Sequence, residues 1–458
     1  MIDRSDTLGQ GSQATVAQSA VQGIVHKPRT SLVEHCLLFT AVVTLPLEKH
    51  VPTVAGMSLS FLIFAVLAAY IIVNRPRALG EILCHPVFIA AYAFVGVSVL
   101  LEFSSPLSRY EETMRFAQMI GGAACVAALC RDRSGLAVGL YGYIGAALWV
   151  STVLCLTSYG TLKEAGATNN FQEASNLREH LDMGITANLN ALAFVCTQGA
   201  IVAFALSLSD RLKHLRILLL GLGVFCLVAA FLPMSRGAAV ISFVSVVAIL
   251  YARGVKQGKA LILASILGMG MYILVPDAVW SRMMFSTEVG GSGKMEARAR
   301  IYTTALNHLR EYVIAGVGAG NFYARWGLEK GFSTRTSVLG AHNVLLQITL
   351  FWGALGLFMY LWFIWLVYRA IPSRCGRDEL SLALLGIMVS LAMLIMDSHS
   401  FYDKWFAFGL GMVLGARRWI WPTGIVTAVD VVHCLIEFSS RYPLRCIGWT
   451  YPTGLVLT

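Results

Sequence analysis

The sequence predicts an all-α, polytopic integral membrane protein with about twelve transmembrane helices, and two observations carry this prediction. Of the 458 residues, 57% are hydrophobic and only 13% are charged, whereas soluble proteins carry about 25% charged residues. The apolar residues also cluster in runs close to the length at which a helix crosses the hydrocarbon core of a bilayer. The predicted spans fall near residues 32–47, 55–73, 87–103, 115–130, 136–158, 185–209, 217–234, 237–252, 260–280, 343–368, 379–396 and 404–420.

The distribution of basic residues gives the orientation of these spans. If the N-terminus is cytoplasmic, Lys and Arg are concentrated in the cytoplasmic loops, as the positive-inside rule requires. The predicted cytoplasmic loops hold Arg75, Arg77, Arg131, Arg133, Arg211, Lys213, Arg216, Arg253, Lys256, Lys259, Arg369, Arg374, Arg377, Arg417 and Arg418. The net charge of +10 therefore follows from membrane topology, and no nucleic-acid partner is expected.

Three regions are predicted along the chain. Residues 1–31 form a polar cytoplasmic tail without the apolar segment of a secretory signal. Residues 32–420 form the membrane domain, with longer loops outside the cytoplasm at about 159–184 and 281–341, and residues 421–458 form a C-terminal tail. None of the ten cysteines falls in either loop, so disulfides and a thiolate metal site are not expected.

The second outer loop contains a predicted amphipathic helix. The segment "EARARIYTTALNHLREYV" (Glu296–Val313) has no Gly or Pro, and an apolar face recurs at helical spacing through Ile301, Ala305, Leu309 and Tyr312. We expect this helix to lie on the outer membrane surface, either as part of a site or as a peripheral anchor without chemistry. The three glycines of the following "AGVGAGNF" end the helix and permit close backbone approach.

Arginines in the outer loops are candidates for binding a phosphate group. Arg236, in "FLPMSRGAAVISF", lies at a tight turn between two apolar runs. A guanidinium so close to hydrocarbon is costly unless it is paired or snorkels to the interface, and it can bind phosphate through two parallel hydrogen bonds. Arg298 and Arg300 could complete such a clamp, or could contact solvent and anionic lipid headgroups.

The candidates for proton transfer lie at the starts of the last spans. His342, in "GAHNVLL", titrates near neutral pH and could accept a proton from a hydroxyl nucleophile, although a role in capping or packing is an alternative. Asn343 could orient this imidazole or cap the helix. In "MDSHSFYDKW" (Met396–Trp405), Asp397 and His399 are reserve candidates for the base or for acceptor contacts, the alternative being an ordinary polar loop.

Motifs for other kinds of chemistry are missing from the sequence. It has no GxGxxG or GxxxxGK[ST] phosphate loop, no HExxH and no DxD. We therefore expect no cofactor, no nucleotide-driven step and no metal site.

Four segments, in this order, resemble the O-antigen ligase and O-antigen polymerase (Wzy-like) superfamily of bacterial envelope-glycan glycosyltransferases. They are "PMSRGAAV", "EARARIYTTALNHLREYVIAGVGAGNF", "AHNVLL" and "FWGALGL". The stretch "LREHLDMGITANLNALA" (Leu177–Ala193) is also similar to the family's segment before its mid-chain span, which makes Arg178 a further candidate for substrate binding.

This resemblance implies a GT-C-like membrane fold and a metal-independent, inverting transfer at the periplasmic face of the bacterial inner membrane. The implied donor is a glycan linked to undecaprenyl pyrophosphate, and the acceptor is a hydroxyl of lipid A-core or a similar lipid or glycan. Arg236 and Arg298 would then bind the pyrophosphate, His342 would activate the acceptor, and Arg300 and Asn343 would support them. A polymerase with the same donor, and a transporter or flippase of lipid-linked glycans, remain alternatives.

Overall fold

The structure of this chain is a computed structural model that describes residues 31–46, 59–105, 107, 110–166, 177, 189–284, 294–332, 340–370, 378–397 and 404–420. Over these ranges the chain is helical and contains no β-strand. Every predicted apolar run coincides, in its described part, with a helix. The sequence therefore predicted the all-helical class correctly.

The first seven helices lie before residue 208, and α6 continues through the π-helical turn Cys155–Tyr159 into the short helix Gly160–Ala165. Their bounds are α1 (Leu32–Thr44), α2 (Leu59–Asn74), α3 (Pro76–Leu83), α4 (Pro86–Phe103), α5 (Glu111–Leu129), α6 (Arg133–Leu154) and α7 (Leu189–Ser207).

The remaining helices include those that carry most of the candidate residues. They are α8 (Arg216–Phe231), α9 (Arg236–Ala252), α10 (Gln257–Leu274), α11 (Asp277–Met284), α12 (Lys294–Asn307), α13 (Val344–Ala370), α14 (Glu379–Asp397) and α15 (Lys404–Ile420). Between α12 and α13 the described chain forms the short helical turns Leu309–Tyr312, Ala319–Asn321 and Gly327–Glu329, with a π-helical turn at Phe322–Trp326.

Five helical segments in the described part of the chain are long and apolar enough to cross a membrane. The count becomes six if α2 and α3, which meet at a bend of 103°, form one broken span. Five more apolar helices are shorter, namely Leu32–Thr44, Arg236–Ala252, Ser265–Leu274, Glu379–Ile395 and Trp405–Ala416. A multi-pass helical architecture is thus confirmed, whereas the number of twelve spans stays a prediction.

The bend between α2 and α3 is held by a buried ion pair. Pro76 opens α3 and cannot donate the backbone hydrogen bond that would continue α2. Glu34 in α1 is 1% exposed, and its carboxylate accepts hydrogen bonds from Arg75 Nε at 2.7 Å and from a terminal guanidinium nitrogen at 2.8 Å. Glu34 also completes a capping box with Ser31. This acidic residue therefore has a structural role.

Helices α6 and α7 are antiparallel at the centre of the bundle. Gly199 of α7 lies directly against Ala147 of α6, and Ser151 donates a hydrogen bond to the sulfur of Cys196 at 3.4 Å. Small residues at this crossing let the two helices approach closely, as is common between membrane helices.

Helices α7 and α9 are parallel and begin at the same end of the bundle. Thr197 and Ser242 share a hydrogen bond of 3.2 Å between their hydroxyl groups. One or two turns further along, Ile201 and Ile249 both lie against Gly386 of α14. We call the end at which α7 and α9 begin the Arg236 end, after the first residue of α9.

Helix α14 is antiparallel to α7 and ends at the Arg236 end. Gln198 Nε2 donates a hydrogen bond to Ser390 Oγ at 3.0 Å, while Gly386 lies against Ile201, which is further from the start of α7. Asp397, the last residue of α14, therefore belongs to the Arg236 end.

Helices α5 and α15 begin at the Arg236 end as well. Helix α15 is antiparallel to α6, because Tyr143 donates a hydrogen bond to the carbonyl of Trp405 at 3.1 Å and Gly139 lies against Met412. Helix α5 is parallel to α15, since successive glycines of α15 meet successive turns of α5. Helix α4, which precedes α5 through a short connection, ends at this end.

Candidate active site

Arg236 is the first residue of α9 and lies in a tight, partly buried turn. The preceding Ser235 caps the helix, since its Oγ accepts a hydrogen bond from the Ala238 amide at 3.4 Å. Met234 has a φ of 54° and is buried, a left-handed conformation that is uncommon for a residue with a side chain. Arg236 thus belongs to the positive end of a helix dipole, where an anion is stabilised.

His342 lies in a second turn of the same kind, directly before α13. It has a φ of 52° and is half-buried. The next residue, Asn343, caps α13, because its Oδ1 accepts a hydrogen bond from the Leu346 amide at 3.0 Å. Of the two roles predicted for Asn343, the structure therefore shows the capping role.

The two turns share one local design. In each, a left-handed residue is followed by a capping residue whose side chain accepts the amide hydrogen three positions later. Arg236 follows its cap and is the first residue of α9, whereas His342 precedes its cap and lies two residues before α13. Such left-handed residues cost about 1–3 kcal/mol and persist where the surrounding structure holds them.

The glycine-rich segment after α12 pairs with a break in α13. The break lies at Gly353, which has φ 62° and ψ −160°. The amides of Val317 and Gly318 donate to the carbonyls of Leu350 and Phe351 at 2.8 and 2.9 Å. These bonds satisfy carbonyl groups that the break removes from the helix. The predicted close backbone approach of this segment is thus confirmed.

Glu102 anchors the same segment from the last turn of α4. Its carboxylate is fully buried and accepts hydrogen bonds from the amides of Ala319 at 2.8 Å and Gly320 at 2.9 Å. These two amides belong to a short helical turn and could have bound a phosphate. Because the protein's own carboxylate occupies them, the glycine-rich segment is a structural joint between α4 and α13.

The turn at His342 consequently lies at the same end of the bundle as the turn at Arg236. Helix α4 ends at the Arg236 end, and Glu102 ties that end to the segment that hydrogen-bonds with α13 just before Gly353. Helix α13 also packs against the short turns Leu309–Tyr312 and Ala319–Asn321. Helix α13 therefore enters the bundle from the Arg236 end.

The outer helix differs in part from its prediction. It is two helices, because α12 ends at Asn307 and a new turn begins at Leu309. Ile301, Ala305 and Tyr312 of the predicted apolar face are each 1% exposed and join the protein core. Leu309 is 40% exposed, because the break after Asn307 removes it from the face that the periodicity predicts.

The two arginines of α12 occupy different faces of that helix. Arg300 is exposed. Arg298 is three residues before Ile301, so its position in the helix is on the side of the buried face. The side chain of Arg298 lies outside the described part of the chain.

Three further predicted residues are not placed in full. Arg178 and His399 lie outside the described residues. Asp397 ends α14 at the Arg236 end, and its side chain is likewise outside the described part. Among the described residues, no group of three or more His, Cys, Asp or Glu side chains could hold a metal ion.

A polar cluster connects the turn directly after α12 to the helical turns that follow the glycine-rich joint. Glu311 accepts hydrogen bonds from Trp326 Nε1 at 2.9 Å and Lys330 Nζ at 3.0 Å, and it pairs with His308 at 2.7 Å. Lys330 foremost, and then His308 and Trp326, lower the pKa of Glu311 to about 2.

Sequence reasoning missed two buried polar residues near these turns. Glu102 interrupts the apolar run "VSVLLEFSS", and this single acidic residue is the signal that could have found it. Gln347 is fully buried in the second turn of α13, and its Oε1 accepts a hydrogen bond from the Ala341 amide at 2.6 Å. A glutamine in a helix gives no comparable signal.

One protein-family model matches a region that includes both turns. Residues 221–361 match the family model Wzy_C, which is described as O-antigen ligase. The resemblance to the O-antigen ligase superfamily is thereby confirmed. The matched region runs from α8 into α13, so it includes Arg236, α12 and His342. A comparison with curated proteins found no match. The Wzy_C match supports an O-antigen ligase or polymerase type of function and a glycosyltransferase-like membrane enzyme.

Proposed function

We propose that the chain is an O-antigen ligase-like glycosyltransferase that moves a glycan from undecaprenyl pyrophosphate to an acceptor hydroxyl. The observation that carries this proposal is the position of Arg236 and His342. Both lie at helix starts at one end of the bundle, and both lie within the region that matches Wzy_C. The proposal places this end at the periplasmic face of a bacterial inner membrane.

The donor pyrophosphate is bound by Arg236 and Arg298. Negative charge gathers on the pyrophosphate as the bond between the anomeric carbon and the phosphate oxygen breaks. Fixed guanidinium groups and the start of α9 stabilise that charge, and they need no metal ion. The register of Arg298 supports this assignment over Arg300, which is exposed and plays a supporting part.

The acceptor is activated by His342. The imidazole takes the proton of the acceptor hydroxyl while the acceptor oxygen forms its bond to the anomeric carbon, and undecaprenyl pyrophosphate leaves with the electron pair of the broken bond. Attack opposite the leaving group inverts the anomeric configuration. Asn343 supports this step by capping α13, and Arg178, Asp397 and His399 are candidate contacts to the substrates.

The twelve-helix, GT-C-like topology belongs to the same proposal. It is supported by the coincidence of the apolar runs with helices and by the concentration of basic residues in alternate loops. In this topology the loops at about 159–184 and 281–341 are periplasmic.

A polymerase is the second candidate, because it uses the same donor and joins it to another lipid-linked repeat unit. The intact "AHN" sequence and the compact outer loops favour the ligase. The envelope glycan of a deletion strain separates the two functions. Loss of a ligase leaves long chains on the carrier lipid, whereas loss of a polymerase leaves only single units attached to the final acceptor.

A transporter of lipid-linked glycans would need ionisable groups with a role inside the membrane. The most conspicuous such group, Glu34, is engaged in the capping box and the ion pair with Arg75. Purified protein in detergent, with no second compartment, should join a defined donor to a defined acceptor. Absence of product from folded protein would contradict the glycosyltransferase proposal.

The pair Arg298 and Arg300 gives a matched test of the donor site. The substitution Arg298→Ala should abolish glycan transfer, and Arg300→Ala, two residues away on the same helix, should reduce it only modestly. Both proteins should remain in the membrane at wild-type amounts. Equal effects of the two substitutions would contradict the assignment of Arg298.

A further inference from the structure

Gln347 makes a specific contact with the chain just before His342. Its side chain is fully buried, and its Oε1 accepts a hydrogen bond from the Ala341 amide at 2.6 Å. An amide N–H requires an acceptor, so the oxygen of the glutamine and not its nitrogen faces Ala341. The orientation of the Gln347 side chain is therefore determined by the backbone next to His342.

Packing alone does not explain a glutamine at this position. Within the described part of the chain, Gln347 Nε2 is buried and has no hydrogen-bond partner. Burying an unpaired amide nitrogen destabilises a protein, and leucine or methionine would fill a similar volume without that cost. The retained benefit of the glutamine is its bond to Ala341.

That bond and the cap formed by Asn343 flank the backbone of His342. On the side before His342, the Ala341 amide donates to Gln347. On the side after His342, Asn343 caps α13, and its backbone carbonyl accepts a hydrogen bond from the Gln347 amide at 2.9 Å. Between these contacts His342 keeps its left-handed φ of 52°. A residue of this kind holds such a conformation only where its neighbours impose it.

We propose that Gln347 is a positioning residue for glycan transfer. By binding the Ala341 amide, it fixes the peptide that precedes His342, so that the imidazole meets the acceptor hydroxyl in one orientation. This inference rests on the proposed role of His342 as the base. Gln347 itself does not contact the reacting atoms.

The test compares Gln347→Leu with Gln347→Glu in the purified, full-length protein. Leucine removes the acceptor for the Ala341 amide, and kcat should fall about 10- to 100-fold, as expected when a reacting group is misplaced. The KM for the lipid-linked donor should change less than about twofold, since Gln347 does not bind the donor. Glutamate retains an oxygen at the same distance along the side chain, and it should restore most of kcat.

Gln198→Leu is the matched control, because Gln198 is a second fully buried glutamine whose bond to Ser390 lies elsewhere in the bundle. Its kcat per folded protein should equal that of the wild type. A wild-type kcat for Gln347→Leu, or a loss that Gln347→Glu does not restore, would overturn the inference. His342→Ala, measured in parallel, separates the role of His342 as the base from the role of Gln347 in positioning it. If His342→Ala retains transfer, the proposed base is wrong. If His342→Ala is inactive and Gln347→Leu is fully active, only the positioning role is refuted.

Discussion

The carboxylate of Glu102 accepts a hydrogen bond from the amide of Gly320 at 2.9 Å, across 218 residues of sequence. This contact joins the end of α4 to the glycine-rich joint, which in turn bonds to the broken helix α13. Because His342 precedes α13 by two residues, these contacts connect the helix that carries the candidate base to a residue far from it in the chain.

Glu102→Gln should destabilise the protein by about 2 kcal/mol, because an NH2 group, which cannot accept, replaces one of the two oxygens that bind the backbone amides and leaves a buried N–H unpaired. Thermal unfolding in detergent measures the change. Glu164→Gln, at an exposed position, is the control and should leave the unfolding midpoint unchanged. Equal midpoints for the two variants would show that the Glu102 contacts add nothing to stability.

Gly353→Ala should prevent normal folding or transfer. The backbone at Gly353 has φ 62° and ψ −160°, a region open essentially to glycine, and a Cβ atom there would collide with the carbonyl of Ile314. Gly268→Ala is the matched control, since nothing lies near that helical position within the described structure, and alanine favours the helix by about 0.5–1 kcal/mol. Transfer per folded protein should be lost in the first variant and kept in the second.

His342→Gly should unfold at a higher temperature than His342→Ala, although both lose the imidazole. The left-handed φ of 52° at this position costs a residue with a Cβ about 1–2 kcal/mol that glycine does not incur. Both variants should be inactive in transfer. If alanine gives the more stable protein, the left-handed conformation of His342 is absent from the folded state.

Glu311 should make the stability of the segment that follows α12 depend on pH in the acidic range. Its pKa is lowered from 4.5 to about 2 in the folded protein, so the unfolded chain binds more protons between these values. The stabilisation is therefore complete above about pH 4.5 and is lost as the pH falls towards 2. The difference in unfolding midpoint between wild type and Glu311→Gln should shrink over this range. A difference that stays constant from pH 6 to pH 3 would contradict the ionic character of the cluster.

The apolar runs predicted the helices well, because burial in lipid and in a helical core needs the same continuous hydrophobic pattern. The break at Gly353 was hidden within one predicted span, residues 343–368. Hydropathy registers the apolar side chains on both sides of the break and not the backbone partners, Val317 and Gly318, that make it possible.

The candidate site was predicted in its residue types more than in its geometry. The turn at Arg236 was expected from a polar residue between two apolar runs, and His342 was expected at the start of an apolar run. Their shared end of the bundle and the role of Glu102 depend on contacts between distant helices, which no local pattern contains. The apolar face of α12 was predicted from its periodicity. That the protein itself buries Ile301 and Ala305 on this face was not predicted, because this too depends on contacts between distant helices.

The central claim is that Arg236 binds the donor while His342 acts on the acceptor, and measuring donor binding and glycan transfer on the same purified variants tests it most directly. Arg236→Ala should weaken donor binding by at least about tenfold, whereas His342→Ala should bind the donor normally and transfer about 10²- to 10⁴-fold more slowly. Arg253→Ala, at the opposite end of α9, and His214→Ala, near the start of α8, are the controls and should match the wild type. Near-normal transfer by either Arg236→Ala or His342→Ala would contradict the account.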